Sequence, residues 1–430
     1  MSDSPTNIAQ PAGPCGSGCR PKRWVLVAAY DVSLGETSEG HIAFQLLSRL
    51  QQRYRIVLLT RCNNRGRLRA SALFGCACPS LRVVGFDLPR WARWWKRGAL
   101  GYRPYAWLWQ IAWPLALRHR SRPLRRLGLV HVLNFHNDSI PAFGWLLGRQ
   151  CAWGPINHNE RALRWRRVHW PFGVSLRHEL LFGLRSLLYR VDPFLRLSVR
   201  KADVIFSAGD WVEARLRPVR PPLTLSQLGV DPLEFRTGEA APVGQQAHAR
   251  RLLVCAGRFD WFKGVDLAIE AVAQLPEHVC LLAIGAGPAE GMLRRLVGQF
   301  GLGDRIEFRR PVARGELARI FARADALVFP SPEAAGLVWV EALACGLPVV
   351  GFDGKTELAQ VAPALPGIFL ASPTRDRDAA VGALAAAVVR TLKQPIDRIR
   401  IREAALGRYA WQRKADAIAA AWDSLLAASA

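Results

Sequence analysis

Acidic residues are scarce. The chain of 430 residues has 34 Asp and Glu against 59 Lys and Arg, a formal charge of +25. That deficit points to an anionic partner: nucleic acid, an acidic membrane surface or a phosphorylated ligand. A GC-rich genome would favour Arg over Lys but accounts less easily for the imbalance of sign. Long apolar runs are also missing. Residues 1–22 have none, so they read as a disordered tail and not as a signal peptide. Tyr105 to Leu117 is the longest candidate near the front. It is too short for a bilayer span and contains Pro114. The nine cysteines are scattered, and Cys15/Cys19 and Cys76/Cys78 lack the partner pairs of a zinc site. They fit reduced thiols, and no metal ligand set is expected. No G-x-G-x-x-G follows the first strand, which argues against a dinucleotide oxidoreductase. No helix-turn-helix, zinc-finger, RRM or KH signature occurs, so nucleic acid is set aside.

The length exceeds what one core ordinarily organises, so two domains are expected. RWVLVAAY from Arg23 is a buried-strand pattern, followed by a polar loop, the helix HIAFQLLSRLQQRY and the strand RIVLLTR. That order opens a parallel α/β domain. LVHVLNF, CAWGPI and ADVIFSAG continue it to about residue 209. Prolines and glycines then suggest a linker over 216–250. Alternation restarts with RLLVCAGR and runs through VCLLAIGAG, RIEFRRP and ALVFPS. The expected division is a tail (1–22), a first Rossmann-like domain (23–215), a linker (216–250), a second domain (251–395) and closing helices (396–430). Ligands of such sheets bind beyond the carboxyl ends of the strands, in the cleft between the two domains.

SPEAAGLVWVEALACGLPVVGFDG, from Ser331, is apolar enough for a core yet holds Glu333 and Glu341. Ala334, Ala335 and Gly336 allow a close turn, and LVWVEALAC reads as a helix. Its first turn presents free N–H groups and a positive dipole end to an anion such as phosphate. Glu333 falls in the loop at the cleft. Glu341 falls about one turn into the helix, leaning back toward its start. Carboxylates accept hydrogen bonds in pairs, which suits vicinal hydroxyls. The bland alternative is two solvated or salt-bridged glutamates. GRFDWFKG adds Gly257, Arg258 and Lys263 just after a strand, where two cations can clamp a diphosphate. Gly285 lies in GAGP, a tight turn that is weak evidence by itself.

GRFDWFKGVDLAIEA, LLAIGAGP and PSPEAAGLVWVEALACGLPVV, in that order, resemble the GT4 family of retaining glycosyltransferases of the GT-B fold. The resemblance runs from about Arg251 to Val361. It implies an α/β protein of two Rossmann-like doubly wound domains facing a cleft. YAWQRKADAIAAAW resembles the family's closing helix, which crosses back to the first domain. The resemblance implies Glu333 on the donor sugar's hydroxyls, Glu341 on the ribose, and Arg258 with Lys263 on the diphosphate. Backbone around Gly336, Leu337 and Val338 would complete the pocket. Ala335 stands where many relatives carry an aromatic residue.

In the first half, SLGETSEGHIAF and CAWGPINHNE resemble a bacterial subgroup's front loop and its WGPxGGGE segment. Asn157, His158 and Asn159 stand where the subgroup usually has adjacent glycines. Gly35 belongs to a loop placed to approach the donor phosphates or the acceptor. Family members often place a histidine after the fourth front strand. His131 reads as structural, His136 in the following loop is chosen as catalytic, and His158 is its rival. Leaving-group stabilisation by Arg258 and Lys263 is the expected mechanism, with Glu333 on the sugar and no protein nucleophile assigned.

The stretch from Pro89 to Arg126 clusters Arg with Trp, and ALRWRRVHWPFGVSLRHELL forms a second such cluster. Tryptophan favours the membrane interface and basic residues favour anionic lipid. The alternative is core tryptophans with solvated arginines. The expectation is a cytoplasmic enzyme, peripheral at the inner face of the plasma membrane. It would move sugar from a UDP- or GDP-linked donor to a glycan or polyprenyl-linked acceptor in surface-polysaccharide synthesis. No cofactor is expected beyond that donor substrate. A non-catalytic membrane scaffold with a vestigial site is the alternative.

Overall fold

The structure is a computed structural model that describes residues 24–33, 38–69, 80–96, 101–118, 127–133, 138–235, 250–372 and 376–428. The amino-terminal tail, Gly35 and His136 lie outside the described residues.

The first half builds one parallel sheet. In chain order its elements are β1 (Trp24–Ala28), α1 (Ser38–Leu50), β2 (Arg55–Thr60), α2 (Cys62–Arg69), β3 (Leu81–Gly85), α3 (Tyr102–Arg118), β4 (Leu127–Val132) and β5 (Gln150–Ile156). There follow α4 (Phe172–Val191), α5 (Pro193–Lys201), β6 (Val204–Ser207), α6 (Asp210–Leu216) and β7 (Leu223–Thr224). The strand order is β3-β2-β1-β4-β5-β6-β7. The reversal at β1/β4 is the switch point of a doubly wound sheet, where ligands bind. β1 is buried on both faces, which is why it reads as an unbroken apolar run.

The second half repeats the plan. It runs β8 (Arg251–Ala256), α7 (Val265–Ala273), β9 (Val279–Ile284), α8 (Glu290–Gln299), β10 (Ile306–Arg309), α9 (Arg314–Arg323) and β11 (Ala326–Phe329). It continues with α10 (Leu337–Ala344), β12 (Val349–Phe352), α11 (Glu357–Val361), β13 (Ile368–Ala371) and α12 (Arg377–Lys393). The parallel order is β10-β9-β8-β11-β12-β13, with its switch point at β8/β11. The two α/β domains expected from the alternating patterns are both present.

Two further helices, α13 (Arg398–Tyr409) and α14 (Trp411–Ala428), close the chain. α14 returns to the first domain. Trp411, Ile418, Trp422 and Leu426 join the cluster formed by Val25, Val27, Ile42 and Leu129. The Trp422 indole N–H donates to His131 Nδ1 at 3.1 Å, and His131 Nε2 meets the Gly154 carbonyl at 2.8 Å. With Nδ1 accepting, Nε2 carries the proton and donates. His131 is fully buried and therefore structural, as its place in a strand suggested.

Residues 216–250, expected as a linker, begin as part of the first domain. Leu216 closes α6, and β7 pairs with β6 through Phe206–Leu223 and Ser207–Thr224. The crossing to the second domain is tied at Val230, which exchanges backbone hydrogen bonds with Tyr409 (2.9 Å) and Trp411 (3.2 Å).

The Arg/Trp insert splits in two. In α3, Tyr105, Trp109 and Trp113 are fully buried against Tyr30, Val130 and Ile205. These aromatics are core and present nothing to a membrane. Trp91 and Trp94, ahead of the helix, are 78% and 75% exposed.

Candidate functional site

The carboxyl end of β8 turns outward at Gly257, whose φ of 147° suits glycine alone. Asp260 then organises the loop. Its Oδ1 accepts the Phe262 N–H at 3.4 Å and its Oδ2 takes Arg258 Nη2 at 2.5 Å. The turn Trp261–Lys263 ends at Gly264, the start of α7. Lys263 Nζ thereby reaches Glu333 Oε2 at 2.5 Å. Arg258 lies on the same loop but faces solvent, with 71% of its side chain exposed. The fork and the point charge are thus both at the strand end; only Lys263 meets a carboxylate across the loops.

Gly285 follows β9, and a Cβ there would lie 2.0 Å from the Gly257 carbonyl oxygen. The glycine lets the two strand-end loops touch. Glu333 sits beyond β11, its N–H on Ser331 Oγ at 3.2 Å. The following chain enters α10 through Gly336, where a Cβ would press 2.6 Å from the Phe329 ring. Leu337 and Val338 open the helix, so their N–H groups are among the unpaired donors of its first turn. Leu337 packs against the cores of both domains.

Glu341 is one turn into α10 and buried. Burial pushes its carboxyl up to about 7, Arg314 pulls it down and Glu234 adds to the rise. Arg314, the first residue of α9, lies 3.9 Å from Glu341 and 3.1 Å from Glu234. Its Nη1 also donates to His41 Nε2, on α1 of the first domain, at 2.6 Å. Burial, with Arg314 and Arg49 beside it, holds the His41 imidazole down at about 3. His41 therefore stays neutral and accepts.

The first domain clasps the Glu333 loop from the other side. Asn159 Oδ1 accepts the Ala334 N–H at 2.9 Å, and Arg166 Nη1 donates to the Pro330 carbonyl at 2.7 Å. The three residues replacing the expected glycines all have work. Asn157 Oδ1 accepts from the His158 N–H (2.7 Å) and the Trp211 indole (3.2 Å). His158 Nδ1 lies 3.0 Å from Asp138 Oδ2. Asp138 is fully buried and also meets Arg185 at 3.2 Å and Arg215 at 3.0 Å. Burial alone would raise its carboxyl. The His158 hydrogen bond and the cations outweigh it and hold Asp138 below the usual carboxylate range.

The structure thus gathers Lys263, Glu333, Gly336, Leu337, Val338 and Glu341 along one face of the cleft, with Gly257, Arg258 and Gly285 in the strand-end loops beside it. Sequence reasoning missed His41, Arg166 and Arg314, and took Asn159 only as a departure from the usual glycines. Arg314 had a signal, since it follows β10 at the strand end where ligand sites form. Among the described residues, no group of three or more His, Cys, Asp or Glu side chains is placed to hold a metal ion.

Residues 239–408 match the family model for glycosyl transferases group 1. A D-inositol 3-phosphate glycosyltransferase of Mycolicibacterium gilvum is 35% identical over 244 residues, 54% of this chain and 53% of the relative. The enzyme of that name from Frankia alni is 32% identical over 200 residues, 42% of this chain and 47% of the relative. The chain therefore spans about half the length of these relatives. Among solved structures, sucrose-phosphate synthase from Thermosynechococcus elongatus superposes with a TM-score of 0.62 at 20% identity, covering 95% of this chain and 100% of that one. Anabaena HepE, in complex with UDP and glucose, superposes at 0.57 and 16% identity, covering 94% and 100%. The chain has the GT-B fold of two Rossmann-like domains.

Proposed function

We propose that the protein is a retaining glycosyltransferase that takes a nucleotide-sugar donor, UDP- or GDP-linked, in the cleft. The Lys263–Glu333 contact beside the N-terminus of α10 carries the reading. It puts a fixed cation, a carboxylate and free N–H groups together at the ends of two neighbouring strands, β8 and β11, within the stretch that matches the glycosyl transferases group 1 model. HepE, which shares the fold, holds UDP and glucose.

Lys263 and Arg258 take the donor diphosphate. Glu333 leaves Lys263 to bind sugar hydroxyls, and Glu341 takes the ribose. The anomeric carbon–phosphate oxygen bond breaks as negative charge builds on the leaving diphosphate. Fixed cations meet that charge without reorganising. The acceptor oxygen bonds the anomeric carbon from the same face, and its proton passes to the leaving phosphate. No metal ion or other cofactor takes part in this reading. The acceptor is a glycan or polyprenyl-linked glycan, and the setting is surface-polysaccharide assembly at the cytoplasmic face of a membrane. The surplus of 25 positive charges supports an anionic acceptor or surface.

The test is donor binding by calorimetry with UDP-, GDP- and ADP-sugars, with Glu341→Ala and Lys263→Ala alongside. A bound donor stabilises the fold by mass action. One nucleotide class should bind, and both variants should lose it. A folded protein that binds none overturns the reading. Product anomers identified by NMR, with D-inositol 3-phosphate and lipid-linked glycans in the acceptor panel, decide stereochemistry and acceptor.

A further inference from the structure

α4 is twenty residues long and none of them is buried. Its inner face is tied down. His178 packs on Trp170 and Phe262 (ring centroids 5.2 and 5.9 Å), Arg185 meets Asp138, and Tyr189 packs among the first domain's core residues. At 100° per residue, Phe172, Leu176, Leu180, Leu184, Leu187 and Val191 fall on the opposite face, and Leu181 and Leu188 widen it to about half the circumference. Phe172 is 82% exposed, Leu180 65%, Leu187 57% and Val191 61%. A surface helix of a globular protein ordinarily turns its apolar stripe inward. This one turns it to solvent.

The apolar face carries and adjoins positive charge. Arg177 and Arg190 lie on the same arc and are exposed. At the foot of the helix an open hollow of about 520 Å³ is lined by Arg164, Trp165, Arg167, Val168 and Ser175. Leu163 and Val168, 53% and 62% exposed, extend the apolar surface to its rim. From Arg161 to Arg196 the chain holds eight arginines against Glu179 and Asp192. Glu179 is shared between Arg161 and Arg167, with Arg164 exposed beside them, and burial, then Arg161 and Arg164, hold the Arg167 guanidinium below its usual range.

We propose that α4 lies in the headgroup layer of an anionic phospholipid membrane, its leucine face among the acyl chains and its arginines on lipid phosphates. Apolar residues over half a helix, with flanking arginines that can reach up to headgroups, are what interfacial binding requires. A second copy of the chain would set the exposed Arg164, Arg177 and Arg190 against their own counterparts at this face, so self-association is disfavoured where anionic lipid is favoured. The location adds meaning to the binding. Trp170 and His178 pack on Phe262, next to Lys263. The helix therefore packs on the loop that holds the candidate donor site with one face and carries the proposed membrane face on the other. Resting on the transferase reading, this presents the cleft to an acceptor that is itself held in the membrane.

The test is flotation of the full chain with phosphatidylcholine vesicles, with and without about one third phosphatidylglycerol. Beside it runs the variant Leu180→Ser/Leu184→Ser/Leu187→Ser, whose changes touch exposed positions only. The wild type should float with the anionic vesicles and weakly with neutral ones. The triple variant should lose about tenfold or more in affinity while keeping its melting temperature. Arg164→Gln/Arg177→Gln should reduce binding and its salt dependence. Wild type that ignores anionic vesicles, or a triple variant that binds them equally, overturns the proposal. So does a wild-type dimer that the triple variant converts to monomer without any vesicle binding. Donor calorimetry on the same preparation separates the two readings. Vesicle capture without donor binding removes the acceptor argument and leaves the membrane face standing.

Discussion

Lys263 Nζ and Glu333 Oε2 stand 2.5 Å apart, on loops that leave two different strands of the second sheet. They are 70 residues apart in sequence, yet each is the other's counter-ion. Both keep about a fifth to a quarter of their side-chain surface open, 25% and 19%. The pair is therefore a poised contact and not a sealed one. In the proposed reaction, an incoming diphosphate competes with Glu333 for the lysine, and an incoming sugar competes with Lys263 for the carboxylate.

Lys263→Ala should abolish donor affinity measured by calorimetry, and turnover should fall on the order of 100-fold or more, the scale of losing one charge-stabilising group. Glu333→Gln keeps the shape but removes the counter-charge. Diphosphate alone should bind that variant as tightly as wild type or tighter, while the sugar nucleotide loses affinity. Equal affinity of wild type and Lys263→Ala for the diphosphate sinks the assignment.

Glu341 makes stability depend on pH. Its carboxyl is raised to about 7 by burial, from 4.5 in the open chain. The folded state then holds the proton more tightly than the unfolded state. Stability from this group is full below about pH 4.5 and falls as pH rises to about 7. The total loss is roughly 3 kcal/mol at pH 8, an order-of-magnitude figure. Glu341→Gln removes the titration. Denaturant melts at pH 5 and pH 8 should show a smaller pH difference in the variant, with donor affinity reduced at both. A variant that keeps the wild-type slope rules out the effect.

The parts of the site that sequence revealed are those built from neighbours in the chain. Glu333 and Glu341 were placed correctly because one loop and one helix turn fix their relation. Contacts made by folding were invisible. Arg314 and His41 meet across 273 residues, and Asn159 reaches Ala334 across 175. Composition also misled where it said nothing of direction. Arg and Trp cluster in α3 and again before α4, yet Trp109 and Trp113 point into the core. The leucines of α4 point out, and only the packed sheet behind each helix decides which face is free. β7 escaped notice because two residues, Leu223 and Thr224, carry no period of their own.

His131 should behave as a core residue. It takes the Trp422 N–H at one nitrogen and gives its proton to the Gly154 carbonyl at the other. His131→Ala leaves a buried donor, a buried acceptor and a cavity. The cost should be about 2–4 kcal/mol in urea melts. Donor affinity at a temperature where the variant is folded should match wild type. A stable variant that has lost donor binding would overturn the structural reading of His131.

Asp138 is the test of the first domain's charge cluster. Three cationic or titratable partners, His158, Arg185 and Arg215, converge on one fully buried carboxylate. Asp138→Ala would take the buried carboxylate away from two half-buried guanidiniums and from His158, which costs about 3–5 kcal/mol. Its depressed carboxyl sets the sign with pH. The stabilisation is present above the ordinary aspartate range and is lost as pH falls through the lower folded value. Wild type and variant should therefore converge in stability toward strong acid and diverge toward neutrality. Because Arg185 belongs to α4, the loss should also loosen that helix. Amide exchange along Phe172–Val191 should quicken in Asp138→Ala. Unchanged exchange there would mean that the aromatic contacts of His178 hold the helix without the charge cluster.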